Sequence, residues 1–340
     1  MPAKRAGAGQ RAAPRRRSRK LMGRYVMDMA SKKIKIEGSG EGSEPKKESK
    51  KGKKQALARM TAGTLSAYTF RLTVVALERA LLAEYPAADA EEWDRTGLLV
   101  GDPAAQVRAV AVALDPTVAA IDAAAEAGAN VLVTHHPAFL TPPTSFKPAA
   151  SVAQNPGAGV YRAIERGVAL MNFHTALDVS ARAQRMLPGM LGLSLRGVVE
   201  PLAGCAEKGY GQLCAVADER LTLGQLAARC TSVFGRAPRV WGDFDRPVSR
   251  VVTCTGSAGP TGKLALANHA DVLVAGEVKY HDALDLSQAG MAVIDLGHDT
   301  SELPFCRVLA ASVRDAGVPD ELVMVVGQQD NWAYPEAVRV

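Results

Sequence analysis

From Leu72 onward the apolar positions switch repeatedly between a helical period and short unbroken runs. LTVVALERALLAEYP (72–86) carries apolar residues at helical spacing and ends at a proline, which predicts a helix. VRAVAVAL (107–114) reads as a strand. DPTVAAIDAAAEAG (115–128) reads as a helix started by Asp115 and Pro116 and stopped by Gly128, and NVLVT (130–134) as the next strand. YRAIERG (161–167) and VALMNFH (168–174) continue the rhythm as helix and strand. The order then recurs: strand VSRVVTCTG (248–256), helix GKLALANHA (262–270), strand DVLVAGE (271–277), helix YHDALDLSQAG (280–290) and strand MAVIDLG (291–297). Between these runs lie an alternating stretch, GYGQLCAVA (209–217), and a helical one, TLGQLAARC (222–230), so 181–247 reads as a smaller β-containing segment.

Two places in the halves correspond closely. NVLVTHH pairs with DVLVAGE, and GVALMNFHTALD (167–178) pairs with GMAVIDLGHDTSE (290–302). Each member of the second pair is a short apolar strand delivering a histidine that is followed four residues later by an acid: His174 with Asp178, and His298 with Glu302. The pattern predicts a three-layer α/β protein of two similar halves, with mixed or mostly parallel sheets. The expected boundaries are a first half over 72–180, an intervening segment over 181–247, and a second half over 248–340.

Charge changes the picture at the N-terminus. The chain of 340 residues has a formal net charge of +6, but residues 1–59 hold 19 Lys or Arg against 5 Asp or Glu, leaving 22 against 30 for the remainder. Residues 1–60 therefore read as a disordered basic tail, with too little apolar content to form a core. Three readings of the tail stay open: an arm for an anionic surface or nucleic acid, an organellar transit segment, or extra residues from a start codon placed too early. The acidic remainder would repel a phosphate backbone, so no specific nucleic-acid partner is expected. No run approaches a membrane span and no signal-peptide pattern precedes a cleavage site, so a soluble, cytoplasmic protein without a membrane partner is expected. The five cysteines show no CxxC spacing and read as reduced, buried side chains.

Ligands of open α/β sheets bind beyond the carboxyl ends of the strands. His135 and His136 fall at one predicted strand end, His174 at a second, Glu277 at a third and His298 at a fourth; with His281, four residues after Glu277, five of the six histidines lie near such ends. Imidazoles together with hard carboxylate oxygens form the donor inventory of a two-metal centre, and adjacent His135 and His136 point in different directions, which suits them to two ions. Ser301 is expected to cap the helix ELPFCRVLAASVRDAG, with Glu302 in its first turn. TGSAGPTGK (255–263) lacks the spacing of a phosphate loop. It reads as an amide-rich turn that either holds an anion or packs tightly.

WDRTGLLVGDP, VLVTHHPAF, FHTALD, GEVKYHDALD and IDLGHDTSE together resemble the Nif-three-like dinuclear-metal family, whose members carry the name GTP cyclohydrolase 1 type 2 homologue. The resemblance spans about Leu72 to Val340. It implies a two-domain α/β fold, a dinuclear site between the domains and a homohexamer. By that resemblance the metal ligands are His135, His136, Asp178, His298 and Glu302, holding two divalent ions, with Zn, Mn and Fe all compatible with mixed His and carboxylate donors. His174 becomes the candidate proton carrier, and Glu277, Lys279, His281 and Asp299 become candidates for supporting the ligands or meeting the substrate. Ala176 and Asp299 depart from the family, which commonly has Asn and an aromatic residue there. The expected function is metal-dependent hydrolysis of a small nucleotide-like or phosphorylated substrate. The alternative is a non-catalytic metal-binding interaction or scaffold protein. Cyclohydrolase activity on GTP is carried by the family name alone.

Overall fold

Both runs of apolar strands become sheets, wired in the same way. The computed structural model describes residues 71–148, 156–218, 220–327 and 332; the basic tail lies outside them. The strands are β1 Gly97–Val100, β2 Val110–Ala113, β3 Val131–Thr134, β4 Ala169–Asn172, β5 Ser194–Leu202, β6 Cys205–Ala215, β7 Arg239–Trp241, β8 Arg250–Ser257, β9 Val272–Glu277, β10 Ala292–Asp295 and β11 Val323–Val325. One sheet has the order β1-β4-β3-β2-β11 and the other β5-β6-β8-β9-β10-β7. In the first, β2, β3 and β4 run parallel and β1 closes the edge antiparallel to β4. In the second, β8, β9 and β10 run parallel and β7 closes the edge antiparallel to β10. The strand that precedes each parallel trio in sequence thus returns to its far edge in both halves. A shared βαβ rhythm does not require that path, so the two halves are similar in topology as well as in rhythm.

The parallel strands β2, β3, β4, β9 and β10 are buried on both faces, which explains why they read as continuous apolar runs rather than alternating ones. Val131 and Val133 of β3 pack with Leu77 and Leu81 of the helix Val74–Glu84 and with Phe305 and Leu309 of the helix Phe305–Asp315. Leu132 points the other way, toward Ile121 of the helix Val118–Glu126 and Val160 of the helix Pro156–Arg166. Burying each such side chain stabilises the fold by about 1.5–3 kcal/mol. The second sheet is covered likewise, by Leu187 and Leu226 on one face and by Ala265 and Leu286 on the other. The result is a mixed α/β fold of two sheet-and-helix halves, each with helices on both sides of its sheet.

Several local expectations change. The helix expected to start at Asp115 is capped by Thr117, whose Oγ1 accepts from the amide of Ala120 at 3.1 Å, and the Asp115 carboxylate is used elsewhere. Ser301 does not cap the long C-terminal helix, which opens at Pro304. It lies inside the short helix His298–Glu302, where its hydroxyl donates to the His298 carbonyl at 2.8 Å and accepts from the Gly256 amide at 2.9 Å.

Residues 181–247 are not set apart. They supply β5, β6 and β7 to the second sheet and the helix Leu223–Phe234 to its face. The chain also does not stay in the second half to its end: β11 pairs parallel with β2, Val323 opposite Val110. The helix Phe305–Asp315 returns with it because Phe305, Leu309 and Val313 complete the apolar face left by Val110, Val112 and Val131.

Candidate metal centre

The carboxyl end of β3 turns where Thr134 Oγ1 donates to the His136 carbonyl at 2.7 Å. His135 is wholly buried. Its Nδ1 donates to the Phe173 carbonyl at 3.1 Å, leaving Nε2 bare and facing Asp178 Oδ1 at 3.7 Å and Glu302 Oε1 at 3.6 Å. The other three rings are held in the same manner. His136 Nδ1 sits 2.7 Å from Asp115 Oδ1, His174 Nδ1 3.1 Å from Asp94 Oδ1, and His298 Nδ1 3.0 Å from Glu277 Oε2. With each Nδ1 held by an acceptor, Nε2 of His136 and of His298 turn to Glu302 Oε2, at 3.1 and 3.2 Å.

Two one-turn helices deliver the acids. Thr175–Asp178 follows His174 and ends on Asp178, while His298–Glu302 begins on His298 and ends on Glu302. The second helix fits against the sheet only because two glycines clear its path. A Cβ on Gly256, whose φ is +58°, would lie 2.2 Å from Glu302 Oε1, and a Cβ on Gly276 would lie 2.2 Å from Ser301 Oγ.

The buried donors lack partners. His135 Nε2, Asp178 Oδ1 and Glu302 Oε2 are buried without a hydrogen bond, an arrangement that is costly unless a cation sits among them. Burial pushes the Asp178 carboxyl up to about 7. Burial opposes ionisation of Glu302 too, but the surrounding His135, His136 and His298 hold it well below the usual carboxylate range. His136 rises to about 10 against its burial, through Asp115 and Glu302, and His298 rises to about 9 through Glu302 first. The site therefore demands positive charge. Three overlapping groups have ligand atoms within 4.8 Å of one another: His135, His136 and His174; His136, His298 and Glu302; and His135, Asp178 and Glu302. These distinct clusters are capable of coordinating metal, and Glu302 belongs to two of them.

The Duf34/NIF3 (NGG1p interacting factor 3) family model matches residues 72–330, which takes in every one of these residues. The chain belongs to the Duf34/NIF3 family. Its curated relatives include proteins named GTP cyclohydrolase 1 type 2 homolog. The one from Streptomyces coelicolor is 32% identical over 244 residues, covering 69% of this chain and 83% of the relative. The one from Clostridium acetobutylicum is 28% identical over 229 residues, covering 66% and 84%. Among solved structures, the Staphylococcus aureus hypothetical protein SA1388 shares the fold with a TM-score of 0.67 at 24% identity, covering 78% of this chain and 99% of that one. A Bacillus cereus protein related to NIF3 does so with the same TM-score and coverage at 20% identity.

In this Duf34/NIF3 chain, His135, His136, His174, Asp178, His298 and Glu302 converge, and Glu277 stands at the edge as the acceptor for His298. Asp299 turns aside into a two-pronged pair with Arg236, at 2.6 and 3.2 Å. His281 packs against Tyr280 and belongs to none of the ligand groups, and Lys279 lines a cavity next to the centre. Sequence reasoning misses Asp94 and Asp115. Asp115 immediately follows the strand run VRAVAVAL, so the strand-end rule that singles out His135 also reaches it, although its place before Pro116 reads first as a helix start. Asp94 lies in WDRTGLLVGDP, next to the exposed Trp93, whose ring meets that of His174 edge-on. Its carboxylate is held below its usual range, near 2, by hydrogen bonds from His174 and Thr175 that outweigh burial.

Proposed function

We propose that this Duf34/NIF3 protein is a metal-dependent hydrolase of a small nucleotide-like or phosphorylated substrate, holding two divalent ions of Zn, Mn or Fe. The observation that carries the reading is the convergence of His and carboxylate donors at the carboxyl ends of parallel strands from both halves, with His135 Nε2, Asp178 Oδ1 and Glu302 Oε2 buried without a hydrogen bond. His135, His136, Asp178, His298 and Glu302 would hold the ions, and Glu302 belongs to two of the candidate groups. Bound ions of this kind supply Lewis acidity and an acidified water near neutral pH.

The chain's own contribution is orientation and proton handling. Asp94 fixes the His174 ring through Nδ1, and the free Nε2 accepts the proton of the attacking water and returns it to the leaving group. His174 also belongs to one ligand group, so it acts at the boundary between holding and reacting. The remaining parts of the reading are a cytoplasmic homo-oligomer, a hexamer on the family resemblance, with no membrane or specific nucleic-acid partner. No helix among the described residues is long and apolar enough to cross a membrane.

The test is a panel of nucleotides, phosphodiesters, phosphomonoesters and cyclic amides, assayed with Zn, Mn and Fe beside the His135→Ala variant. Metal-dependent turnover that the variant loses is the expected result. Bound metal by elemental analysis without turnover on any class would replace this reading with the non-catalytic metal-binding one.

A further inference from the structure

We propose that a cavity beside the metal centre seats the substrate's body, and that the body is a nucleotide: its base donates to Asp282 and Asp285, and its phosphate meets Lys263 and Lys279. This rests on the hydrolase reading for the reaction, but not for the binding.

The cavity measures about 500 Å³, within the range of small-molecule sites. It lies where β8 and β9 end. The turn Ser257–Pro260 forms one wall, and the helices Thr261–Ala267 and Tyr280–Gln288 form the others. Its floor is apolar and buried, from Ala258, Val278 and Leu286. Gly262 keeps the two helices close, since a Cβ there would come within 2.9 Å of the Leu286 side chain.

The rim carries both signs. Lys263, Lys279, Asp282 and Asp285 line the cavity, are exposed, and make no side-chain ion pair or hydrogen bond with described residues, although opposite charges share the same opening. An ammonium only donates and an ionised carboxylate only accepts, so this rim matches a ligand with anionic oxygens at one place and N–H groups at another. A simple phosphate ester leaves the two aspartates unmatched, and a free base leaves the two lysines unmatched. A nucleotide satisfies both and lays a flat ring over the apolar floor between them.

Position supports the same conclusion. Glu277 lines the cavity and also accepts from His298 Nδ1 at 3.0 Å, so a ligand seated there ends one side chain away from the ligand cluster. The amide-rich turn that the sequence left open between holding an anion and packing thus belongs to a cavity wall.

The experiment is isothermal titration of the full-length, metal-loaded protein with GMP, whose base presents adjacent N–H donors, alongside ribose 5-phosphate and guanosine. GMP is expected to bind, with each fragment weaker by about tenfold or more. Asp285→Ala and Lys263→Ala, both exposed, should each weaken GMP by about tenfold or more while metal content by elemental analysis stays unchanged. Absence of GMP binding to the unaltered protein, or GMP binding indifferent to both substitutions, overturns the assignment. Failure of the hydrolase panel together with binding that depends on Lys263 and Asp285 leaves the cavity a nucleotide site without hydrolysis. Turnover with binding that ignores both residues removes the cavity and leaves the hydrolase.

Discussion

Gln184 donates through Nε2 to the carbonyl of Asp178 at 2.8 Å and also to that of Gly209. Its Oε1 accepts from Gln212 Nε2 at 2.8 Å, and Gln212 Oε1 accepts from Thr253 Oγ1 at 2.6 Å. A buried amide chain therefore runs from the helix that ends on Asp178, across β6, to β8 of the second half. Replacing Gln184 by Leu leaves two carbonyls and one Gln212 donor without partners, at about 1–3 kcal/mol for each group left unsatisfied. A lowered melting temperature is expected with and without metal, together with weaker metal binding because Asp178 loses its fixed position. An unchanged melting curve would show that the chain has no structural part.

Asp115 has no helix-capping duty and one clear contact, with His136 Nδ1. Asp115→Ala should reduce metal affinity by about 10–100-fold, the usual effect of removing a carboxylate that orients a histidine ligand. Competition against a chromophoric chelator measures this directly. Affinity equal to that of the unaltered protein would mean that Glu302 alone orients His136.

Gly256 and Gly290 both adopt positive φ, +58° and +91°, but only Gly256 has an obstacle, since a Cβ there would stand 2.2 Å from Glu302 Oε1. Gly290→Ala should cost only backbone strain, about 1–2 kcal/mol, with metal binding intact. Gly256→Ala should lose metal binding outright, because Glu302 must leave its place. Metal analysis of the two purified variants separates strain from displacement.

Asp271 ties the start of β9 to the start of β8: its Oδ2 accepts from the amides of Ser249 and Arg250 at 2.9 and 2.8 Å. Burial acts against its charge, but these amides and the Ser249 hydroxyl lower its pKa below the ordinary value. A carboxyl with a lowered folded pKa contributes stability above its unfolded value, about 3.9, and that contribution fades as pH falls through the folded value. Asp271→Asn should therefore lower the melting temperature at pH 7, and the difference from the unaltered protein should shrink as acid carries the pH down through the lowered folded value. A constant difference across that range would contradict the assignment.

How much of the molecule is legible in its sequence depends on what each residue answers to. β3, β9 and β10 are readable because strands buried on both faces need apolar residues at every position, and the two His-and-acid pairs are readable as a repeated spacing, although the one-turn helices that carry them are not. The origin of the helix after β2 is misplaced at Asp115, since an acid before proline satisfies a helix start as well as it satisfies a histidine. Only the position of His136, 21 residues away, decides between the two. Ser301 misleads for a similar reason, its partner being the distant Gly256 amide. The sheet that receives β11 is not legible at all. VMV (323–325) suits either sheet, and the choice is made by Phe305, Leu309 and Val313 finding the open face of the first. Asp94 and the Gln184 chain likewise act through neighbours far away in sequence.

The pairing of NVLVTHH with DVLVAGE sets Gly276 in the place of His135 and Glu277 in the place of His136. Once the repeat is seen in three dimensions, those two positions have divided the work: one copy presents metal donors, whereas the other gives clearance for Ser301 and an acceptor for His298. Neither copy alone is a smaller version of the whole. Each is one half of a socket, and a change that restored the symmetry, such as Gly276→His, would give the second copy the first copy's ligand and close the space in which Glu302 is held.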